Sequence, residues 1–182
     1  MKKIKFLFVL TALLTVVITA GCDSFQDFSV NIPFAIEFVD STYITQTFDS
    51  EVYDLGANSQ YNDYKEKIKD FEFLEARYFI KATVPDTLVG TLKFTVRKND
   101  NAGDILFYKE FPGVTVYNGK TDIFVLTQDQ IKMFNDYLYA MYALSGTTKF
   151  YGEAAVTDLT NDGNLKKTTV ELHLLLKAEG EL

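Results

Sequence analysis

The chain has 182 residues, of which 25 are acidic and 18 are basic, so its formal net charge at neutral pH is −7. This length suits one domain with a sizeable core. The acidic balance excludes nucleic acid and anionic membrane surfaces as electrostatic partners, because both would repel the chain. The single cysteine has no partner for an internal disulfide. We therefore expect packing alone, much of it by 16 Phe and 11 Tyr side chains, to hold the fold.

The first segment has the order of a secretory signal peptide. Lys2, Lys3 and Lys5 precede an uncharged and mostly apolar run, residues 6–20, which ends in small residues. This run is shorter than the roughly 20 residues that a membrane-spanning helix needs. We predict that residues 1–21 are a signal peptide that is removed. Because its charged residues are all lysines, the exported part is more acidic than the whole chain.

A cysteine follows the small residues at once, in the order Thr19-Ala20-Gly21-Cys22. This order resembles the lipobox of bacterial lipoproteins, in which an aliphatic residue, a small residue and Gly or Ala precede Cys, with Thr19 standing where Leu is usual. The resemblance implies that Cys22 becomes a diacylglyceryl thioether and, after cleavage, the N-terminus. The alternative is that Cys22 is an ordinary residue near a conventional cleavage site. In that case its thiol would be unpaired in an oxidising compartment. Two or more acyl chains would anchor the protein stably.

Period-two alternation dominates the chain after the cysteine and predicts strands. Every even position from Phe28 to Phe38 is apolar, and Pro33 favours the edge of a sheet because proline cannot donate to a strand ladder. We therefore predict that residues 22–27 are a short lipidated tether and that residues 28–182 form one domain.

The same alternation recurs along the rest of the domain. Phe73 and Leu74 break its phase, which a β-bulge would explain. Asn118-Gly119 is the strongest turn signal, because this pair favours the positive φ angles of a type I′ hairpin. The further predicted strands span residues 42–48, 71–84, 88–98, 105–111, 114–117, 123–126, 149–159 and 166–179.

Turn residues between these strands indicate antiparallel hairpins. Residues 42–48 would pair with the first strand, and a turn at 161–164 would join the last two strands. Pro112-Gly113 is predicted to end one strand and begin another. Pairing of this kind gives a mainly antiparallel sheet.

Two segments have helical spacing instead. A short helix is predicted from the apolar positions between Tyr61 and Ile68. A longer helix begins at Thr127, where Gln130 three positions on completes a capping box, and is predicted to end at residues 145–146.

The predicted fold class is mainly β, a two-layer antiparallel β-sandwich, Ig-like or LEA14-like, of about seven to nine strands with two helices. The second half, with a helix between strands and Gly152 in mid-strand, is loosely similar to LEA14-type sandwiches. The layout from Cys22 onward resembles uncharacterised β-sandwich lipoproteins of the Bacteroidetes. Neither resemblance implies a catalytic residue or a cofactor.

His173 is the single histidine and the first candidate for chemistry. The alternation places it on the strand face opposite Leu172 and Leu174, so we expect it to face solvent. A general base would need a Ser or Thr nucleophile, and the sequence contains no nucleophile-elbow motif. We therefore predict no catalytic residue and no enzyme.

Asp158 and Asp162 are weak candidates for calcium binding. Together with Thr160 and Gly163, they have the spacing of positions 1, 3, 5 and 6 of a calcium loop. Thr169, however, stands at position 12, where a bidentate Glu is required. The alternative is an ordinary turn between two strands, and we predict no metal as a cofactor.

Aromatic residues on the helices allow two interpretations. Tyr61, Tyr64, Tyr137, Tyr139 and Tyr142 could form a stacking surface for a sugar or an apolar ligand. Aromatic residues at helical spacing are more often part of a core.

The sequence thus favours a non-catalytic envelope lipoprotein that binds another envelope protein or stabilises an assembly. The alternative is a carrier for an apolar, lipid-like ligand, with the second helix as a lid over a Phe-rich interior; a third hypothesis is a hydrolase of unknown substrate. Asp23 after the cysteine would retain the protein in the inner membrane under enteric sorting rules. The resemblance to Bacteroidetes lipoproteins instead implies the outer membrane, on its periplasmic face or at the cell surface.

Overall fold

A computed structural model describes residues 27–143, 149–160 and 162–181. Cys22 and the predicted signal peptide lie outside these ranges, as does the predicted end of the second helix. These ranges contain eight strands, named β1 (Asp27–Thr42), β2 (Thr47–Asp54), β3 (Ile68–Val84), β4 (Thr87–Lys98), β5 (Ile105–Tyr117), β6 (Thr121–Phe124), β7 (Lys149–Thr157) and β8 (Lys166–Glu181). The helices are α1 (Ser59–Tyr64) and α2 (Gln128–Ala143), and a 3-10 turn (Leu55–Ala57) precedes α1.

The strands form two four-stranded antiparallel sheets that pack face to face. Sheet 1 has the order β1-β8-β3-β6, and sheet 2 has the order β2-β7-β4-β5. The predicted two-layer antiparallel sandwich with two helices is confirmed. The strand order is that of a jelly roll, whereas an immunoglobulin sandwich would place its strands in the order ABED and CFG.

Most of the predicted hairpins are wrong, because consecutive strands cross from one sheet to the other. β1 pairs with β8 instead of β2, and β2 pairs with β7. β5 and β6 lie in different sheets, as do β7 and β8. A turn signal in the sequence does not decide which sheet receives the next strand. Only β4 and β5 form a hairpin among the described strands.

The predicted break at Pro112-Gly113 is also wrong, since β5 runs through it. The β4 register shifts there, with Gly90 opposite Val114 and Leu92 opposite Phe111. Gly113 takes a positive φ of 62°. Pro112 and Gly113 together stand opposite the single residue Thr91, so β5 has one extra residue and forms a bulge. An edge strand such as β5 tolerates this bulge because the missing proline N–H faces away from the ladder.

Several local predictions are confirmed. The register between β3 and β8 shifts between Phe73 and Glu75, which is the predicted bulge. β1 is an edge strand, as Pro33 indicated. At the start of α2, Gln130 N donates to Thr127 Oγ1 at 3.3 Å and Thr127 N donates to Gln130 Oε1 at 2.9 Å, so the capping box is formed.

The space between the sheets is filled by aromatic and aliphatic side chains. Phe94 of β4 is fully buried and lies near three rings of sheet 1 and near that of Phe111 in sheet 2. α2 packs beside β3, where β6 is too short to cover it, and Asn135 Oδ1 accepts from Phe73 N at 2.8 Å. None of the helices in the described ranges combines the length and the apolar character that crossing a membrane requires.

The sandwich has two distinct ends. At the near end, the start of β1 lies beside the end of β8, with Asp27 opposite Glu181, and Tyr137 of α2 donates to Asn99 Oδ1 in the β4–β5 turn. At the far end, the β1–β2 turn meets the β7–β8 connection, where Leu159 N donates to Thr45 O at 3.0 Å. The strands run between these ends.

Candidate functional site

His173 lies at the middle of β8 on the outer face of sheet 1. Its side chain is 44% exposed, while Leu172 and Leu174 on either side are buried. The predicted orientation toward solvent is confirmed. The ring Nε2 lies 2.8 Å from Oε2 of Glu171 on the same strand.

Glu171 joins His173 to a small network of charges. Lys81 Nζ lies 3.0 Å from Glu171 Oε1 and also pairs with Glu37. Burial acts to raise the pKa of Glu171, but hydrogen bonds from Lys81 and His173 outweigh it and lower that pKa. Hydrogen bonds to Glu37 and Glu171 raise the pKa of Lys81. One ammonium and two carboxylates thus interact across three strands, as in a structural network.

A shallow depression of about 380 Å³ opens beside His173. Arg77 borders it, and its Nη2 lies 2.9 Å from Glu75 Oε1. A mechanism in which His173 activates a serine, threonine or cysteine nucleophile would need a hydroxyl or thiol here, and the lining side chains supply none. These lining residues, all within the described ranges, are Pro33, Phe34, Ala35, Glu75, Arg77, His173, Leu174 and Leu175.

Asp162, the first calcium candidate, already holds a cation from the protein. Its carboxylate accepts from the ammonium of Lys166, which is only 2% exposed, and from Asn164 N at 3.0 Å. The hydrogen bonds from Lys166 and Asn164 hold the pKa of Asp162 well below its usual range. The carboxylate satisfies a buried ammonium that would otherwise be costly.

Asp158, the second calcium candidate, belongs to the same connection. It has a positive φ of 60°, and its carboxylate accepts from Thr157 Oγ1 at 3.2 Å. Hydrogen bonds from Thr91 and Thr157 lower its pKa. Among the residues described, no three potential metal ligands converge. The geometry favours a turn stabilised by its own hydrogen bonds.

The ion pair of Asp162 makes stability depend on pH in a defined direction. Because the pKa of Asp162 is lowered by folding, the pair contributes stability above the unfolded pKa of about 3.9 and loses it as the pH falls below that value. Asp162→Asn is therefore expected to destabilise the protein at pH 7, with a difference from wild type that shrinks below about pH 4. Urea unfolding at both pH values measures it. Asp63→Asn on α1 is the control; a difference for Asp162→Asn that does not change with pH would contradict the assignment.

The helical tyrosines mostly belong to the core. Tyr61 and Tyr137 are buried, and the ring of Tyr64 packs 5.0 Å from that of Phe28. Tyr139 is exposed, and the side chain of Tyr142 lies outside the described part. A stacking surface formed by both helices is therefore not supported.

The interior offers little room to an apolar ligand. The rings of Phe34, Phe150 and Phe134 stack at successive distances of 5.3 Å between the sheets and α2. A void beside Phe38 holds only about 10 Å³, whereas an apolar ligand site needs about 300 Å³ or more. α2 contributes buried side chains to the core, which differs from the predicted lid over an open interior.

The outer face of sheet 2 carries a cluster that the sequence did not reveal. We call it the aromatic face and define it by five outward-pointing residues, Phe48 and Val52 of β2, Tyr151 of β7, and Ile105 and Tyr108 of β5. Four of them are at least 41% exposed, and Tyr151 is half-buried. In the sequence, these residues are apolar at strand positions that the alternation assigns to the solvent side. Their proximity to each other depends on the register of four strands.

No family model and no curated protein matches this chain. The strand order places it among jelly-roll sandwiches. Similar solved structures include the decameric BFDV capsid protein, with 11% identity, coverage of 84% of this chain and 99% of that chain, and a TM-score of 0.44.

Two further similar structures are also viral. A semi-empty virus-like particle of the nodavirus of the giant freshwater prawn Macrobrachium rosenbergii has 9% identity, coverage of 88% of each chain and a TM-score of 0.44. The mud crab tombus-like virus has 8% identity, coverage of 86% of this chain and 91% of that chain, and a TM-score of 0.42. Likeness at this level says nothing about the function of this chain.

Proposed function

We propose that the chain is an exported lipoprotein, anchored in the outer membrane by acyl chains on Cys22, whose jelly-roll domain binds an envelope component without catalysis. The observation that carries the proposal is the position of Cys22 directly after a signal-like segment and directly before the domain. β1 begins at Asp27, so five peptide units separate it from the cysteine. An extended chain covers at most about 3.6 Å per residue, so this tether spans no more than about 18 Å.

This geometry assigns different roles to the two ends of the sandwich. The near end, where β1 starts, would face the membrane, and the far end would point away from it. The outer faces of both sheets would then stand beside the membrane surface, open to neighbouring envelope components. The filled interior supports binding at the surface over transport, and the absence of a hydroxyl or thiol among the described residues beside His173 supports it over hydrolysis by a serine, threonine or cysteine nucleophile.

Cys22→Ala is expected to abolish acylation and membrane attachment, because the thioether can form only at this sulfur. Cells fed with labelled palmitate should incorporate the label into wild-type protein and none into the variant. After detergent phase separation, the wild type should partition with the detergent, and the variant should not.

Ser24→Ala, two residues beyond the cysteine, is the matched control and should retain label and partitioning. The mass of the purified protein gives a second readout, since the proposal requires cleavage before Cys22. Wild-type protein without label, or label that persists in Cys22→Ala, would sink the proposal.

A further inference from the structure

The aromatic face lies on a regular grid of outward side chains. Strand pairing aligns Phe48 with Ala155 in one row and Val52 with Tyr151 in another, with Tyr108 in the row between them on β5. Rows of same-face residues are about 6.8 Å apart and strands about 4.8 Å apart, so the grid covers roughly 14 Å in each direction. Phe48 lies on the edge strand β2, Tyr108 on the opposite edge strand β5, and Tyr151 on β7 between them.

Ion-paired side chains share the same grid. Glu153 lies in the row between Phe48 and Tyr151, whereas Lys93, Arg97 and Glu110 lie on β4 and β5 in the two outer rows. Arg97 Nε lies 3.3 Å from Glu153 Oε2, and Lys93 Nζ lies 4.0 Å from Glu110 Oε2. Tyr108 Oη donates to Glu110, which orients the phenol at the border. Two cations and two anions cancel, so this face is neutral on a chain whose net charge is −7.

The paired groups keep contact with water. The side chains of Arg97 and Glu153 are 26% and 22% exposed, and those of Lys93 and Glu110 are 33% and 41% exposed. An apolar protein surface laid over them would strip this water from charged groups at a cost. A charged ligand would gain little from a face whose charges cancel.

We propose that the aromatic face binds an uncharged glycan, whose sugar rings stack on Phe48 and Tyr151 and whose hydroxyl groups bond the ion-paired side chains beside these rings. One face of a sugar ring presents C–H groups, which pack against the electron-rich face of an aromatic ring. Hydroxyl groups both donate and accept, so they can replace the water on Glu153 and on Arg97. This inference deepens the proposed function by naming a ligand class for the anchored domain.

Affinity electrophoresis in native gels tests the inference with the full chain purified in nonionic detergent. The gels contain soluble starch, a mixed-linkage β-glucan, a xylan or a mannan, with polygalacturonate as the charged comparison. Wild-type protein should be retarded by at least one of the neutral glycans. Phe48→Ala and Tyr151→Ala should each weaken that retardation, with affinity falling roughly 2- to 10-fold per lost ring.

Three variants serve as controls. Tyr151→Phe keeps the ring and should keep binding, whereas Tyr117→Ala and Tyr139→Ala remove exposed rings elsewhere and should leave binding unchanged. Unfolding curves of all variants establish that they are folded. The proposal requires that Phe48→Ala and Tyr151→Ala lose binding although they unfold like the wild type.

The inference would be overturned if no neutral glycan retards the protein, or if polygalacturonate alone does. It would also be overturned if Phe48→Ala and Tyr151→Ala were retarded as strongly as the wild type. Self-association or binding of a protein through this face, without glycan binding, would do the same. Palmitate labelling of the same preparations reports on Cys22 separately, so the anchor and the glycan site can fail independently.

Discussion

Phe94→Ala is expected to lower the free energy of unfolding by about 3–5 kcal/mol, the usual loss when a buried phenylalanine is truncated. Phe94 is fully buried, and its ring centroid lies 6.0 Å from that of Tyr78 and 6.3 Å from that of Phe124, both of which belong to the opposite sheet. The variant therefore leaves a cavity where the two sheets meet and removes aromatic contacts. Urea unfolding at neutral pH, followed by circular dichroism, measures the change.

Phe48→Ala is the matched control for this prediction. Phe48 is 51% exposed on the outer face of sheet 2, so its truncation opens no cavity and should change stability by less than about 1 kcal/mol. A loss below about 1 kcal/mol for Phe94→Ala as well would contradict the packing described between the sheets.

Gly180→Ala is expected to destabilise the protein by about 1–3 kcal/mol or more, because β8 has no room for a side chain there. An added Cβ would lie 1.9 Å from the carbonyl oxygen of Lys67 and 2.7 Å from Phe28 Cε1. The first obstacle is backbone, so either the end of β8 or the segment before β3 must move. Such a movement would also break the bond from Glu181 N to Lys67 O. The shift of the urea midpoint is the measurement.

Gly152→Ala gives the comparison. Its Cβ would meet Phe38 Cζ at 2.9 Å and Ile36 Cδ1 at 3.0 Å, which are the ends of side chains that can turn away. We expect a smaller loss than for Gly180→Ala. A larger loss for Gly152→Ala than for Gly180→Ala would contradict this expectation. It would mean that the backbone at the end of β8 moves more easily than the side chains around Phe38.

Local features of this fold could be predicted from sequence because neighbouring residues decide them. The alternation that buries one face of a strand, the bulge after Phe73 and the capping box at Thr127 each depend on a few adjacent positions. A turn also forms at Asn118-Gly119, where Lys120 N donates to Tyr117 O at 3.1 Å and Gly119 has a φ of 86°, but Asn118 lacks the positive φ that the predicted type I′ turn requires. Gly119 N, however, donates to Ile80 O of the other sheet, and the next strand joins β3. Which sheet receives a strand depends on contacts far along the chain.

The candidate sites also differ in whether local or distant residues decide them. The outward position of His173 followed from its own strand, and Asp162 required only the local turn. The aromatic face required the pairing of β2, β7, β4 and β5, which no single segment encodes. Val52 was missed for the further reason that the predicted strand 42–48 ended before it, whereas β2 runs to Asp54.

The central position of β8 in sheet 1 determines when folding can be completed. β8 is the last of the described strands, yet it lies between β1 and β3 and supplies the ladder partners of both. β1 thus waits for a partner that emerges more than a hundred residues later. Folds built on such distant pairings form slowly, and their unpaired edges are exposed to aggregation meanwhile. A nascent chain that stops before β8 has the hydrophobic residues of sheet 1 but no sheet in which to bury them.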